Sequence, residues 1–270
     1  MDSTEVSGTS DLRSIRSGTT NNTSSEVRLF FSVHNTIRKS NPGFREGRLF
    51  AFMLRVKKIL SYLMDIPIRE VESTISGKLK LTLVNGRYCL STQHAVYSFD
   101  TQYVSYRIAF EQLHIGERSV RKALILGYGL GSISKLLNLK HHLYPAITAV
   151  ELDPQVIGLA KQYGYLPESV KLTEADAYAF MLQCCEQYDL INADLYVDDT
   201  TPSQFEKTEF LYALKKCLTP GGLLLFSRFY NQEHHRRLTE AFLQGAFSTV
   251  FPQARTIHAQ GNLMLVWENI

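Results

Sequence analysis

Cysteine is scarce in this chain, with four in 270 residues at Cys89, Cys184, Cys185 and Cys217. None shares a CxxC spacing and two are adjacent, which makes a poor disulfide framework and leads us to expect a reducing, cytoplasmic setting. Long apolar runs are missing too. The longest, Leu49 to Leu54, is far short of the ~20 residues that a membrane-spanning helix needs. The first residues are polar, with no basic segment leading into an apolar stretch, so no secretory signal is expected. Charge of one sign is also lacking in excess. A net charge of +3, with the positives spread along the chain, makes no demand for a nucleic-acid partner.

What the chain does have is 44% hydrophobic residues, enough to bury one large domain or one domain with a small appendage. Residues 1–26 are Ser, Thr, Asn and Gly with scattered charge, a composition that predicts a disordered tail. Over 27–65 an amphipathic helical extension is expected. Leu49, Phe52, Met53, Val56, Ile59, Leu60 and Leu63 recur at helical spacing there, among Arg45, Arg48, Arg55, Lys57 and Lys58. Such a face more often packs on its own domain or a second subunit than on a membrane. Domain-like sequence begins near Met53, and the mass of natively expressed protein tests whether residues 1–52 are an extension.

A small β segment follows over 66–101. Leu79, Leu81 and Leu83 alternate before Asn85-Gly86, and the pattern returns through Arg87 to Ser91; Asn-Gly between such runs is a strong hairpin signal. A helix is predicted from Gln102 to Leu113. From Lys122 strands and helices alternate regularly, with strands near 122–127, 146–151, 170–173, 188–194 and 221–228 and helices within 153–163, 177–185, 203–217 and 232–246. The chain ends in two short runs, Arg255–Ala259 and Leu263–Trp267, around Gln260-Gly261-Asn262. This order predicts an α/β fold over 102–270, a doubly wound parallel sheet closed by an antiparallel C-terminal hairpin, the layout of class I methyltransferase-like folds.

The chemistry concentrates between Ala123 and Asp153. The strand Ala-Leu-Ile-Leu feeds Gly127-Tyr128-Gly129-Leu130-Gly131-Ser132, a helix follows, and Glu151 ends the next strand. Glycines let the backbone approach a nucleoside, and an acid about 20 residues later can accept from both ribose hydroxyls. The glycines alternate as GxGxG, with Ser132 where the dinucleotide fingerprint GxGxx(G/A) puts its last small residue. That spacing favours an adenosylmethionine-type ligand, while a nicotinamide dinucleotide and an NAD-dependent oxidoreductase stay open as the alternative.

The Asn85-Gly86 hairpin, the loop from Leu126 to Ser132, Ala149-Val-Glu-Leu-Asp-Pro154, Glu174-Ala-Asp176-Ala177, Tyr188-Asp-Leu-Ile-Asn-Ala-Asp194 and Thr219-Pro-Gly-Gly222 stand in an order that resembles the spermidine synthase family, from Ser61 to Ile270. The resemblance implies that Gly127, Gly129 and Gly131 line the methionine side of the ligand, that Glu151 holds the ribose and that Asp176 accepts from the adenine amino group. It implies that Asp194 deprotonates or orients the attacking amine, and that Gln102 and Tyr103 face the substrate. It further implies S-adenosylmethionine or decarboxylated S-adenosylmethionine as donor, a small amine or polar acceptor as partner, and a homodimer. Two positions depart from the family pattern. Leu130 stands where the family carries an acid that pairs with the donor's free amine. After Asp194 the next acids are Asp198 and Asp199, followed by Pro202, one or two residues later than in the family. Methyl and aminopropyl transfer both stay open, as does a non-catalytic nucleoside-binding module of the same fold.

Plainer roles stand beside these. Asp194 could cap a turn, Asp176 could N-cap the helix after it, and Asp198 and Asp199 could form a solvated loop, although an acidic pair beside a base also suits a cationic substrate. Asp153-Pro154 reads as an N-cap with proline at the first helical position. His141-His142 and His234-His235 lack the spacing of a metal site, so they are read as surface residues and no metal is expected.

Overall fold

The computed structural model describes residues 52–270. The expectations for the tail over 1–26 and for the extension up to residue 51 lie outside the described residues. Residues 52–60 are helical, as the amphipathic spacing predicts.

Residues 55–270 hold two sheets. The first is antiparallel, in the order β1 (Ile66–Ser73), β2 (Gly77–Val84), β3 (Arg87–Ser91), β4 (Val96–Ser98). The predicted hairpin is β2–β3, with Val84 opposite Arg87. Asn85 and Gly86 both take positive φ, 48° and 74°, the geometry of a type I′ turn that matches strand twist. Leu79, Leu81 and Leu83 are buried on one face. Two strands were not expected. In β1 the register shifts between Pro67 and Arg69, which breaks the alternation that reveals a strand. β4 is only three residues long.

The second sheet has seven strands in the order β10-β11-β9-β8-β5-β6-β7. β5 (Lys122–Leu126), β6 (Ala146–Glu151), β7 (Val170–Glu174), β8 (Tyr188–Ala193) and β9 (Leu218–Phe229) run parallel. β10 (Arg255–Ala259) and β11 (Asn262–Glu268) form the antiparallel hairpin, with β11 paired to β9. The expected doubly wound sheet with its antiparallel end is therefore present. β5 shows why it is apolar throughout. Ala123 and Ile125 face one core, beneath α1 (Val104–Gln112), α2 (Ser132–Lys135) and α3 (Pro154–Tyr163), while Leu124 and Leu126 face the other, beneath α4 (Ala177–Gln183), α5 (Thr208–Lys216) and α6 (Glu233–Phe242). A central parallel strand buried on both faces has no polar side to show.

Helix boundaries moved in two places. The helix expected from Gln102 breaks at Tyr103, between a short turn over Asp100–Gln102 and α1. The one expected over 203–217 breaks at Lys207, where extended backbone separates a turn over Ser203–Glu206 from α5. α3 begins as read, with the Asp153 side chain accepting from Gln155 N–H at 2.8 Å and Pro154 at its first position. Strand order reverses between β5 and β8, and an open α/β sheet splays a crevice at such a switch point, beyond the carboxyl ends of its strands.

Candidate active site

That crevice is an open cleft. The glycine loop after β5 contributes Gly127 and Gly129, the end of β6 contributes Glu151, and the end of β8 contributes Asp194. Its wall includes Ile75 and Ser76 from the β1–β2 turn, Tyr97 from β4 and Tyr103 ahead of α1, while Tyr196, Gln204 and Phe205 from the segment after β8 close it.

The loop glycines are required by neighbours as well as by any ligand. Gly127 has φ 85°, and a Cβ there would lie 2.1 Å from the carbonyl oxygen of Asp194. The tips of β5 and β8 are thus packed backbone to backbone beside the cleft. Glu151 ties the same loop to β6. One carboxylate oxygen accepts from Tyr128 N–H at 3.0 Å and Gly129 N–H at 3.1 Å, and the other from Leu152 N–H at 2.9 Å and Asp153 N–H at 3.2 Å. Burial pushes the Glu151 carboxyl above its ordinary range, opposed by these backbone donors.

Asp194 is the second buried acid of the site. It is fully enclosed, and burial raises its pKa to about 7 in spite of the hydrogen bond from Tyr103. Tyr103 Oη donates to Oδ2 at 2.6 Å. Oδ1 has no hydrogen-bond partner among the described residues. A carboxyl raised toward neutrality by burial, with one oxygen held and the other buried without a partner beside the cleft, is suited to take or give a proton. Around it, Tyr196 Oη donates to Ser227 Oγ at 2.9 Å, and Asn262 Nδ2 donates to the same hydroxyl at 3.2 Å. This network ties Tyr196, which lines the cleft, to β9 and β11.

Of the residues singled out from the sequence, Gly127, Gly129, Glu151, Asp194 and Tyr103 meet in the cleft. Gly131, Asp176, Gln102, Asp198 and Asp199 are not among the residues that line it. Gly131 stands at the N-cap of α2, and a Cβ on it would lie 2.2 Å from the Tyr165 carbonyl oxygen. Asp176 caps α4 through Ala179 N–H at 2.9 Å, and its other oxygen accepts from Gln204 Nε2 at 3.1 Å, so it positions a lining residue. Asp198 binds the β3–β4 connection, accepting from Thr92 Oγ1 at 2.6 Å and His94 N–H at 3.0 Å. Burial opposes its charge, yet the hydrogen bonds from Thr92 and His94 hold it below the usual carboxylate range. His235 corrects the surface reading: it is 6% exposed, with Asn231 four residues before it and Asp199 from the segment after β8 packed against its ring. Sequence reasoning missed Ile75, Ser76, Tyr97, Tyr196, Gln204 and Phe205. Only Tyr196, two residues past a strand-end acid, carried a positional signal.

The lining has a further property. It includes three carboxylates, Glu151, Asp153 and Asp194, and no lysine, arginine or histidine. Such a cleft disfavours the pyrophosphate of a dinucleotide and suits cationic ligands.

Residues 112–260 match the spermine/spermidine synthase domain. The chain belongs to that family. Among the family's polyamine transferases, one from Bifidobacterium longum (strain NCC 2705), described as a probable polyamine aminopropyl transferase, is 32% identical over 143 residues, 52% of this chain and 31% of its own length. A polyamine aminopropyltransferase of Escherichia coli (strain K12 / DH10B) is 29% identical over 142 residues, 47% of this chain and 49% of its own. The chain thus matches half or less of the length of these curated relatives. A solved structure of a probable spermidine synthase from Corynebacterium glutamicum ATCC 13032 superposes with TM-score 0.62 at 18% identity, covering 75% of this chain and 80% of that one. Spermidine synthase from Thermotoga maritima gives 0.58 at 16% identity, over 76% and 73%. At these identities the two structures establish the spermidine synthase-like fold of this family member.

Proposed function

We propose that this chain transfers an aminopropyl group from decarboxylated adenosylmethionine to a small amine. The observation that carries the proposal is Asp194, a carboxyl with pKa raised to about 7 and a free Oδ1 in an anionic cleft. An ammonium has no lone pair to attack with. Ionised Asp194 draws it in and accepts its proton; the amine nitrogen then bonds to the carbon next to sulfur while the carbon–sulfur pair leaves onto sulfur, neutralising the sulfonium. The chain's part is to align these atoms and keep water away, and proximity supplies most of the acceleration.

The residues present fit such a donor. Gly127 and Gly129 bring backbone rather than side chain to the cleft, Glu151, whose oxygens each hold two backbone donors, fixes the glycine loop at the ribose end of such a donor, and Gln204, steadied by Asp176, offers an amide to the base. Tyr97, Tyr103 and Tyr196 give the acceptor side an aromatic wall, which suits an alkylammonium chain.

One observation favours a second reading. Leu130 is 4% exposed and packs into the apolar core, so that position offers the aminopropyl chain's amine no charge partner, and methyl transfer from adenosylmethionine needs none. Calorimetric titration with both donors separates the readings. Tighter binding of the decarboxylated form supports aminopropyl transfer, tighter binding of adenosylmethionine supports methyl transfer, and failure of both to bind overturns the transferase assignment.

A further inference from the structure

The segment after β8 carries a second group of polar side chains, on Asp199. One ligand atom each from Asp199, His234 and His235 lie within 4.8 Å of one another, and the same holds for His94, Asp198 and Asp199. The two trios differ. In the second, Asp198 is already satisfied: Oδ1 accepts from Thr92 Oγ1 and His94 N–H, and Oδ2 lies 2.5 Å from His94 Nδ1. That trio is a finished clamp.

The first is not. His235 is 6% exposed, and its Nδ1 lies 2.7 Å from Asn231 Oδ1. An amide oxygen only accepts, so Nδ1 carries the proton and the lone pair of neutral imidazole is left on Nε2. Nε2 faces Asp199 Oδ2 at 3.7 Å, beyond hydrogen-bond reach. His234 stands beside it, the two ring centroids 3.9 Å apart. A ring nitrogen lone pair beside a carboxylate oxygen sets two acceptors face to face. A cation between them resolves the conflict, and an imidazole oriented by an amide oxygen on its far nitrogen is the usual support behind a metal ligand.

We propose that Asp199, His234 and His235 bind one divalent transition-metal cation of the zinc class. Two imidazoles and one carboxylate are borderline ligands that select zinc and its neighbours over magnesium or calcium, which take oxygen. Zinc–nitrogen bonds of about 2.0–2.1 Å in a tetrahedron put ligand atoms about 3.3 Å apart, so the 3.7 Å separation of His235 and Asp199 closes by a few tenths of an ångström. Water completes the shell. The site is structural: Asp199 lies outside the cleft lining, in the segment whose Tyr196, Val197 and Pro202 line it. The metal ties that segment to the first turn of α6.

The test uses tag-free full chain, stripped with a chelator and titrated with zinc chloride, then with cobalt(II) for its absorption spectrum. The expected result is one zinc per chain at micromolar affinity or better, and a cobalt spectrum without a thiolate charge-transfer band. His234→Ala, at an exposed position, and His235→Ala each weaken uptake by more than about 100-fold, while His94→Ala leaves it unchanged. Because loss of a buried histidine can unfold the chain, the exposed His234→Ala variant with unchanged circular dichroism carries the decision. No uptake by the parent, which would leave His235 and Asp199 as a simple ion pair, overturns the site. Uptake that survives His234→Ala, depends on His94 or shows the thiolate band overturns it equally.

Discussion

Replacing Asp194 with Asn removes an ionisable group that the fold holds at a cost, so the stability difference must depend on pH in one direction. The folded pKa is about 7 against an ordinary value of 3.8. Between these values the unfolded chain has released the proton and the folded chain still holds it. Parent stability therefore falls as pH rises from about 4 to 7 and levels off above, as linkage requires for a raised carboxyl. At about 1.4 kcal/mol per pH unit, that interval amounts to about 4 kcal/mol near pH 8, and the same arithmetic leaves about 1 kcal/mol near pH 4.5. Asn cannot ionise, and its carbonyl oxygen can still accept from Tyr103. The variant is therefore expected to be more stable than the parent by up to about 4 kcal/mol near pH 8, with the gap shrinking to about 1 kcal/mol near pH 4.5. Urea denaturation of both proteins across that range, monitored by circular dichroism, measures it. A gap independent of pH, or a variant less stable than the parent near pH 8, refutes the reasoning that burial perturbs this carboxyl.

Tyr103→Phe removes the 2.6 Å hydrogen bond to Asp194; the acid limb of the kcat/KM profile moves to higher pH by about one unit, since a hydrogen bond to a charged acceptor is worth about 1.5–3 kcal/mol. Glu151→Gln faces an amide group toward one pair of backbone donors, and calorimetry is expected to show methylthioadenosine binding at least about tenfold weaker, with about 2 kcal/mol lost in urea denaturation. Gly127→Ala places a methyl group against the Asp194 carbonyl at a positive φ and costs more than about 2 kcal/mol, read as a lower urea midpoint at unchanged slope.

Local features announced themselves in the sequence. The run from Lys122 to Glu151 was legible because a strand, a glycine loop, a helix and a strand-end acid follow one another, and each is specified by its own residues. β1 was hidden by the register shift after Pro67, and the cleft wall was hidden by distance. Ile75, Ser76 and Tyr97 belong to the other sheet and reach the glycine loop only through tertiary packing. Asp198 shows the reverse case: an acid near a strand-end acid reads as a substrate contact, yet its oxygens are spent on Thr92 and His94, 106 and 104 residues away in the chain. His235 was misread for the same reason, since the helical pattern of α6 gives no sign that Asp199 packs against it.

The central claim is that Asp194 serves as the base for an amine attacking a sulfonium-activated carbon. The most direct measurement is release of methylthioadenosine from decarboxylated adenosylmethionine, with and without a panel of diamines, by the parent and by Asp194→Asn of verified fold. The expected release depends on the amine, is matched mole for mole by the aminopropylated product, and falls by at least about 100-fold in the variant. Release unaffected by Asp194→Asn, or methyl transfer from adenosylmethionine with the decarboxylated donor left intact, would contradict it.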